Sequence, residues 1–149
     1  MKYPTFKLAG YKIRTTNENN QAMQDIGALW GRVLSQNLLA KISNQTSTKI
    51  FALYYEYEKD HTRPYSVLLG VSVNNLVDLP TDIIGVEIPT QNYTVFEANG
   101  PMPEALIQTW QKIWQQNDAL ARNFQFDFEE YDPQNPNAPQ AKVWIGLIP

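Results

Sequence analysis

A chain of 149 residues, 43% hydrophobic and 12% aromatic, is of a size for one domain and can bury a substantial core. Twelve Lys and Arg against 15 Asp and Glu give a net charge of −3, and no basic run is long enough to track phosphates, which argues against a nucleic-acid partner. The absence of cysteine excludes disulfides, thiolate catalysis and thiolate metal sites, and no run approaches the roughly eighteen apolar residues of a membrane span.

Phe6, Leu8, Tyr11 and Ile13 alternate loosely around Gly10 and predict a strand over 5–15. A polar turn at 17–20 leads into Met23, Ile26, Trp30, Val33, Leu34 and Leu38, whose three- and four-residue spacing is that of an amphipathic helix. After a polar loop at 43–48 the pattern predicts a strand over 49–58, a turn over 59–64 and a strand over 65–73. A β-α-β-β unit thus ends near Asn75. The second unit follows the bridge 74–81, with strands over 82–89 and 93–98 and a break at Asn99-Gly100-Pro101. Pro103 and Glu104 suit the first turn of a helix that buries Leu106, Ile107, Trp110, Ile113 and Trp114. Strands over 123–132 and 142–148 follow, joined by an exposed proline-rich loop over 133–141.

The two units superpose in sequence. Phe51, Leu53, Tyr55 and Glu56 can be laid on Phe124, Phe126, Phe128 and Glu129, and Gly70 on Gly146. The helix segment from Trp30 to Asn37 runs against that from Trp110 to Asn117. Three coincidences in the same order argue for an internal duplication, with repeat one at about 1–75 and repeat two at about 80–149 of a single domain spanning 1–149. Two such units predict an α+β fold, an antiparallel sheet with two long helices on one face and a central ligand groove.

Period two divides each strand into faces. Phe51, Leu53 and Tyr55 with Val67, Leu69 and Val71, and Phe124, Phe126 and Phe128 with Val143, Ile145 and Leu147, are expected to face the helices. The opposite series, Tyr54, Glu56, Leu68 and Gly70 with Asp127, Glu129, Tyr131, Trp144 and Gly146, is expected to line the groove. A carboxylate among aromatic rings suits a flat organic cation, and a strand glycine leaves room for something to approach the backbone. Trp30, Trp110 and Trp114 fit helix-core spacing and are read as core, with groove lining as the alternative.

Asp127-Phe128-Glu129-x-Tyr131, Trp110-x-x-Ile113-Trp114 after Gly100-Pro101, and Tyr54-x-x-Tyr57-Glu58-x-Asp60 leading into Tyr65-Ser66-Val67-Leu68-Leu69-Gly70 together resemble the GyrI-like effector-binding superfamily. That superfamily includes ligand domains of AraC-type and MerR-type multidrug regulators and free-standing members, among them integron cassette proteins. The resemblance implies a groove that accepts lipophilic, often cationic, molecules above an acidic residue, which carries over to Glu129, with Tyr131 as the motif aromatic. The sequence departs from the regulators in having no room for a helix-turn-helix domain, so direct DNA binding is not expected. On both grounds Glu129, Tyr131, Trp144, Tyr54, Glu56 and Gly146 are the ligand-binding candidates, and the expected partner is a lipophilic cationic small molecule.

No catalytic residue, metal or cofactor is assigned: His61 stands alone in a turn, and no Ser-His-Asp, metal-ligand or phosphate-loop pattern is present. Two other readings stay open. Glu129 and Tyr131 could serve a hydrolase as general base and orienting donor, and exposed Tyr54, Tyr57 and Tyr65 could serve a separate protein partner. The N-terminus lacks an apolar signal segment, so a cytoplasmic protein is expected, and the sequons at Asn44 and Asn92 are read as chance.

Overall fold

The computed structural model describes residues 1–134 and 141–149, so the loop expected over 133–141 falls largely outside the described residues. Its strands are β1 (Lys2–Tyr3), β2 (Phe6–Thr15), β3 (Ile50–Tyr55), β4 (Tyr65–Ser72), β5 (Ile84–Ile88), β6 (Gln91–Ala98), β7 (Arg122–Tyr131) and β8 (Ala141–Leu147). The α-helices are α1 (Gln21–Ser35), α2 (Glu104–Gln115) and the one-turn α3 (Asn117–Leu120), with short 3-10 turns at Glu18–Asn20 and Leu38–Lys41. All pairings are antiparallel in one eight-stranded sheet of order β1-β6-β8-β7-β3-β4-β2-β5. The fold is α+β.

Connectivity forces the sheet to curl. β5 and β6 are six positions apart in the order but joined only through Pro89 and Thr90. Six strand spacings measure roughly 29 Å across a flat sheet, whereas the step from Ile88 to Gln91 spans at most about 11 Å. The ends of the sheet therefore come round toward each other, and Thr5 and Thr90 exchange hydrogen bonds across the gap. At the facing pair Gly10 and Gly70, a methyl group on either would lie 2.2 Å from a carbonyl oxygen of the neighbouring strand. Only glycine fits that approach.

Curling encloses one face. Tyr3, Phe6, Phe51, Leu53, Leu68, Phe128 and Trp144 pack there, with the Phe128 and Trp144 rings stacked 5.6 Å apart. The other face carries the helices: α1 lies over β2 and β4, and α2 over β6. The central pair β3 and β7 is left as a floor between them.

Strand register corrects the expected faces. Directly opposed residues share a face, and Leu53 opposes Leu68, Tyr54 opposes Val67, Phe128 opposes Trp144 and Glu129 opposes Val143. Val67, Leu69, Val143 and Ile145 do face the helices, but Phe51, Leu53, Tyr55 and Phe128 face the curled interior. Tyr54 and Glu129 lie on the helix side, so the groove opens between the helices rather than on the opposite face. Phe124 leaves the phenylalanine series altogether, because a bulge between Arg122 and Asp127 shifts the register and Phe124 adopts a left-handed φ of 52°.

The strand order reads alike outward from the central pair, β3-β4-β2 on one side and β7-β8-β6 on the other. With Gly70 set on Gly146, the observed pairings put Tyr54, not Glu56, at the place of Glu129.

Candidate functional site

Each long helix has two apolar stripes. In α1, Ala22, Leu29 and Val33 are buried, while Met23, Ile26, Gly27 and Trp30 turn sideways. In α2, Ala105, Thr109 and Ile113 recur every four residues and are buried, and Leu106, Ile107, Trp110 and Trp114 turn toward α1. A helix that buries one stripe on a sheet leaves the adjacent stripe for another surface. Here the two free stripes form the walls of a largely apolar cavity of about 890 Å³, with Tyr54, Tyr57, Tyr65, Glu129 and Tyr131 beneath. That volume lies in the range of small-molecule pockets.

Glu129 lines this cavity although its side chain is only 1% exposed. Oε2 accepts from Tyr54 Oη at 2.7 Å and Trp110 Nε1 at 2.8 Å, and Oε1 accepts from Tyr131 Oη at 2.5 Å. All three donors are neutral, and among the described residues no ion pair involves Glu129. Burial raises its pKa above the usual carboxylate value, against the lowering effect of the three hydrogen bonds. Burial likewise pushes the Tyr54 and Tyr131 phenols well above theirs, so both remain donors.

Aromatic rings frame the carboxylate. Tyr54 and Trp110 are 5.1 Å apart between centroids, and Trp30 meets Tyr131 edge-on at 5.0 Å. Behind the cavity wall, Asp127 is fully buried and paired with Arg122, which lines the cavity, Nη2 to Oδ2 at 2.8 Å. Tyr57 Oη donates to the same oxygen at 2.6 Å, and the Gly146 N–H donates to Oδ1 at 2.8 Å. The Arg122 guanidinium lies 4.3 Å above the Phe124 ring, which explains what the bulge accomplishes. His61 stacks between Trp114 and Phe124, its pKa lowered by burial and by the Arg122 charge.

The structure brings Glu129, Tyr131 and Tyr54 together in this cavity and places the other three candidates elsewhere. Glu56 follows the end of β3 with a φ of 52°, turns outward, and binds Lys12 at 2.6 Å and Ser66 at 2.8 Å. Trp144 faces the curled interior. Gly146 supports Asp127 from the next strand, and the space beside its Cα is filled by Gln91, Phe126 and Asn123. Trp30, Trp110 and Trp114, read as core, line the cavity, as do Tyr57, Tyr65, His61 and Arg122. For Trp110 the indole N–H was the available signal, since it calls for an acceptor and finds one in Glu129. Among the described residues, no three His, Asp or Glu side chains are grouped as a metal site needs.

A family model described as integron-associated effector binding protein matches residues 1–147. The chain belongs to this family. A Bacillus subtilis (strain 168) protein named for transcriptional regulation, YobU, is 33% identical to this chain over 137 residues, covering 90% of the chain and 85% of YobU. Among solved structures, an integron cassette protein from the mobile metagenome of Vibrio cholerae aligns with a TM-score of 0.77 at 25% identity, covering 99% of this chain and 94% of that one. SAV2435, solved with tetraphenylphosphonium bound, aligns with a TM-score of 0.79 at 22% identity, covering 99% and 92%.

Proposed function

We propose that this effector-binding protein takes up lipophilic aromatic cations in the cavity between α1 and α2, with Glu129 as the countercharge. The observation that carries the reading is a carboxylate 1% exposed, held by three neutral donors and facing an apolar cavity. An isolated buried charge is costly, and a cation placed beside it offsets that cost while the rings supply cation-π and stacking contact. Rings worth about 1 kcal/mol each, with one desolvated charge pair, reach affinities in the micromolar range, about −8 kcal/mol. Rings and a single carboxylate specify little beyond charge and flatness, so several cations of similar size are accepted. SAV2435, similar in fold, holds a lipophilic phosphonium cation, which supports the reading without fixing this chain's own ligand.

The test is a titration of tryptophan fluorescence, since Trp30, Trp110 and Trp114 line the cavity. Tetraphenylphosphonium is expected to bind at micromolar levels and neutral triphenylphosphine oxide far more weakly. Equal binding of the two, or none of the cation, overturns the proposal.

A further inference from the structure

β5 stops pairing with β2 at the Gly10–Ile84 pair, while β2 continues to Thr15. Beyond Gly10, β2 is paired with β4 alone, through Thr15 opposite Tyr65. The Val73 N–H donates to the Lys7 carbonyl, so Lys7 and alternate residues after it direct their backbone toward β4. Lys12 and Arg14 then direct their N–H and C=O groups to the unpaired side. Among the described residues, no backbone hydrogen bond outside the ladders reaches either of them.

A second cavity, of about 590 Å³, runs along this edge and shares no lining residue with the first. Lys12 and Arg14 line it from β2, Arg32 from α1, Lys41 from the turn after it, Asp82 from the approach to β5 and Ile84 from the first position of β5. Lys12 is answered by Glu56 at 2.6 Å, whereas among the described residues Arg14 bonds only neutral oxygens, of Glu56, Ser66 and Pro64. Among the described residues neither Arg32 nor Lys41 forms an ion pair. In a chain of net charge −3, this edge is locally basic.

We propose that the open edge of β2 docks an extended acidic segment of another protein, added as a strand in line with β5. Two free N–H and two free C=O groups, on Lys12 and Arg14, supply the ladder, and the open stretch of about five residues spans roughly 17 Å. Carboxylates on the incoming strand meet Arg32 and Lys41 at the margin of the helix. A second copy of this chain is a poor occupant, because edge-to-edge pairing sets Lys12 and Arg14 against their own counterparts.

The probe is a fluorescent, capped heptapeptide alternating glutamate and valine, compared with the same peptide carrying lysine for glutamate. Anisotropy is expected to show the glutamate peptide binding at least about tenfold tighter, with affinity falling as salt screens the charges. Hydrogen exchange at the Lys12 and Arg14 amides is expected to slow in the complex. Lys12→Pro removes one ladder donor at an edge position that tolerates proline, and abolishes binding. The double variant Arg32→Glu, Lys41→Glu leaves the ladder intact and lowers affinity about tenfold or more by charge alone. Circular dichroism confirms that each variant is folded, and the double variant carries the test if the proline variant is not. No binding, equal binding of the lysine peptide, unchanged exchange at those two amides, or a dimer in sedimentation that Lys12→Pro dissociates overturns the proposal.

Discussion

Asp127 and Glu129 stand two residues apart on β7 and face the same side of the sheet, yet Asp127 is paired with the Arg122 guanidinium while Glu129, among the described residues, is held by neutral donors alone. Both are buried, at 0% and 1% exposure, so the difference is one of compensation. Asp127 is compensated by the guanidinium charge and by donors from Tyr57 and Gly146. A lone carboxylate lacks that compensation, and under the proposed function a bound cation would supply it.

Glu129→Gln keeps the shape and can keep all three hydrogen bonds, since an amide oxygen accepts from Tyr54 and Trp110 while the Tyr131 hydroxyl rotates to accept. Tetraphenylphosphonium affinity is expected to fall about ten- to a hundredfold, or about 1.4–2.8 kcal/mol, in the fluorescence titration. Thermal denaturation of the empty protein is expected to move the other way, with a gain of about 1 kcal/mol or a few degrees, because a buried charge is removed. A lower midpoint would assign the carboxylate a stabilising role instead.

Acidity separates the two effects. Burial holds the Glu129 pKa above the ordinary 4.5, so the folded protein keeps this proton more readily than the unfolded chain. That contribution to stability is complete below 4.5 and is lost as pH rises through the folded value. Cation affinity runs oppositely, rising with pH through the same window by up to about tenfold per unit and then levelling. Isothermal titration in buffers of different ionisation enthalpy is expected to detect protons released on binding within it. In Glu129→Gln the main slope disappears. His61 lines the same cavity and its pKa is lowered, so His61→Gln isolates any residual slope.

Trp110→Phe removes the indole donor from Glu129 Oε2 and leaves most of the ring. With one fewer hydrogen bond to the charged form, the Glu129 pKa is expected to climb further, and the pH midpoint of cation binding to move up with it. Affinity at neutral pH drops several-fold, by about 1 kcal/mol. An unmoved midpoint would show that Trp110 acts only as a wall.

Arg122→Met leaves Asp127 buried with no cation, although Tyr57 and Gly146 still donate to it. The expected loss is about 3–5 kcal/mol in urea denaturation. Pairing it with Asp127→Asn is expected to recover much of that loss, which distinguishes an unpaired charge from lost packing.

Glu56→Gln and Trp144→Phe are expected to leave tetraphenylphosphonium affinity within about twofold, because both side chains lie outside the cavity. Trp144→Phe still costs roughly 1 kcal/mol of stability through its stacked contact with Phe128. A large loss of binding in either would contradict the placement of the groove between the helices.

Much of the candidate site was legible because β7 keeps strict alternation from Asp127 to Tyr131, so Glu129 and Tyr131 could not part company. Tyr54 was legible for the same reason on β3. Trp144 and Glu56 were misplaced by different causes. For Trp144 the deciding quantity was cross-strand register, which no single strand encodes. For Glu56 it was one residue in a left-handed conformation just past the end of β3, where the sequence Tyr55-Glu56-Tyr57 still alternates like a strand. The tryptophans were misjudged because a helix stripe facing a cavity has the same spacing as one facing a core. Periodicity reports that a surface is apolar and is silent on what covers it.

The ligand proposed for the cavity would bury the apolar walls of α1 and α2 and so complete the fold's second hydrophobic layer. A molecule that binds only the folded chain adds stability that grows with its concentration, about 2.7 kcal/mol at a hundred times its dissociation constant. Under the proposed function the folded fraction of this protein is then a record of how much ligand surrounds it, with no moving part required.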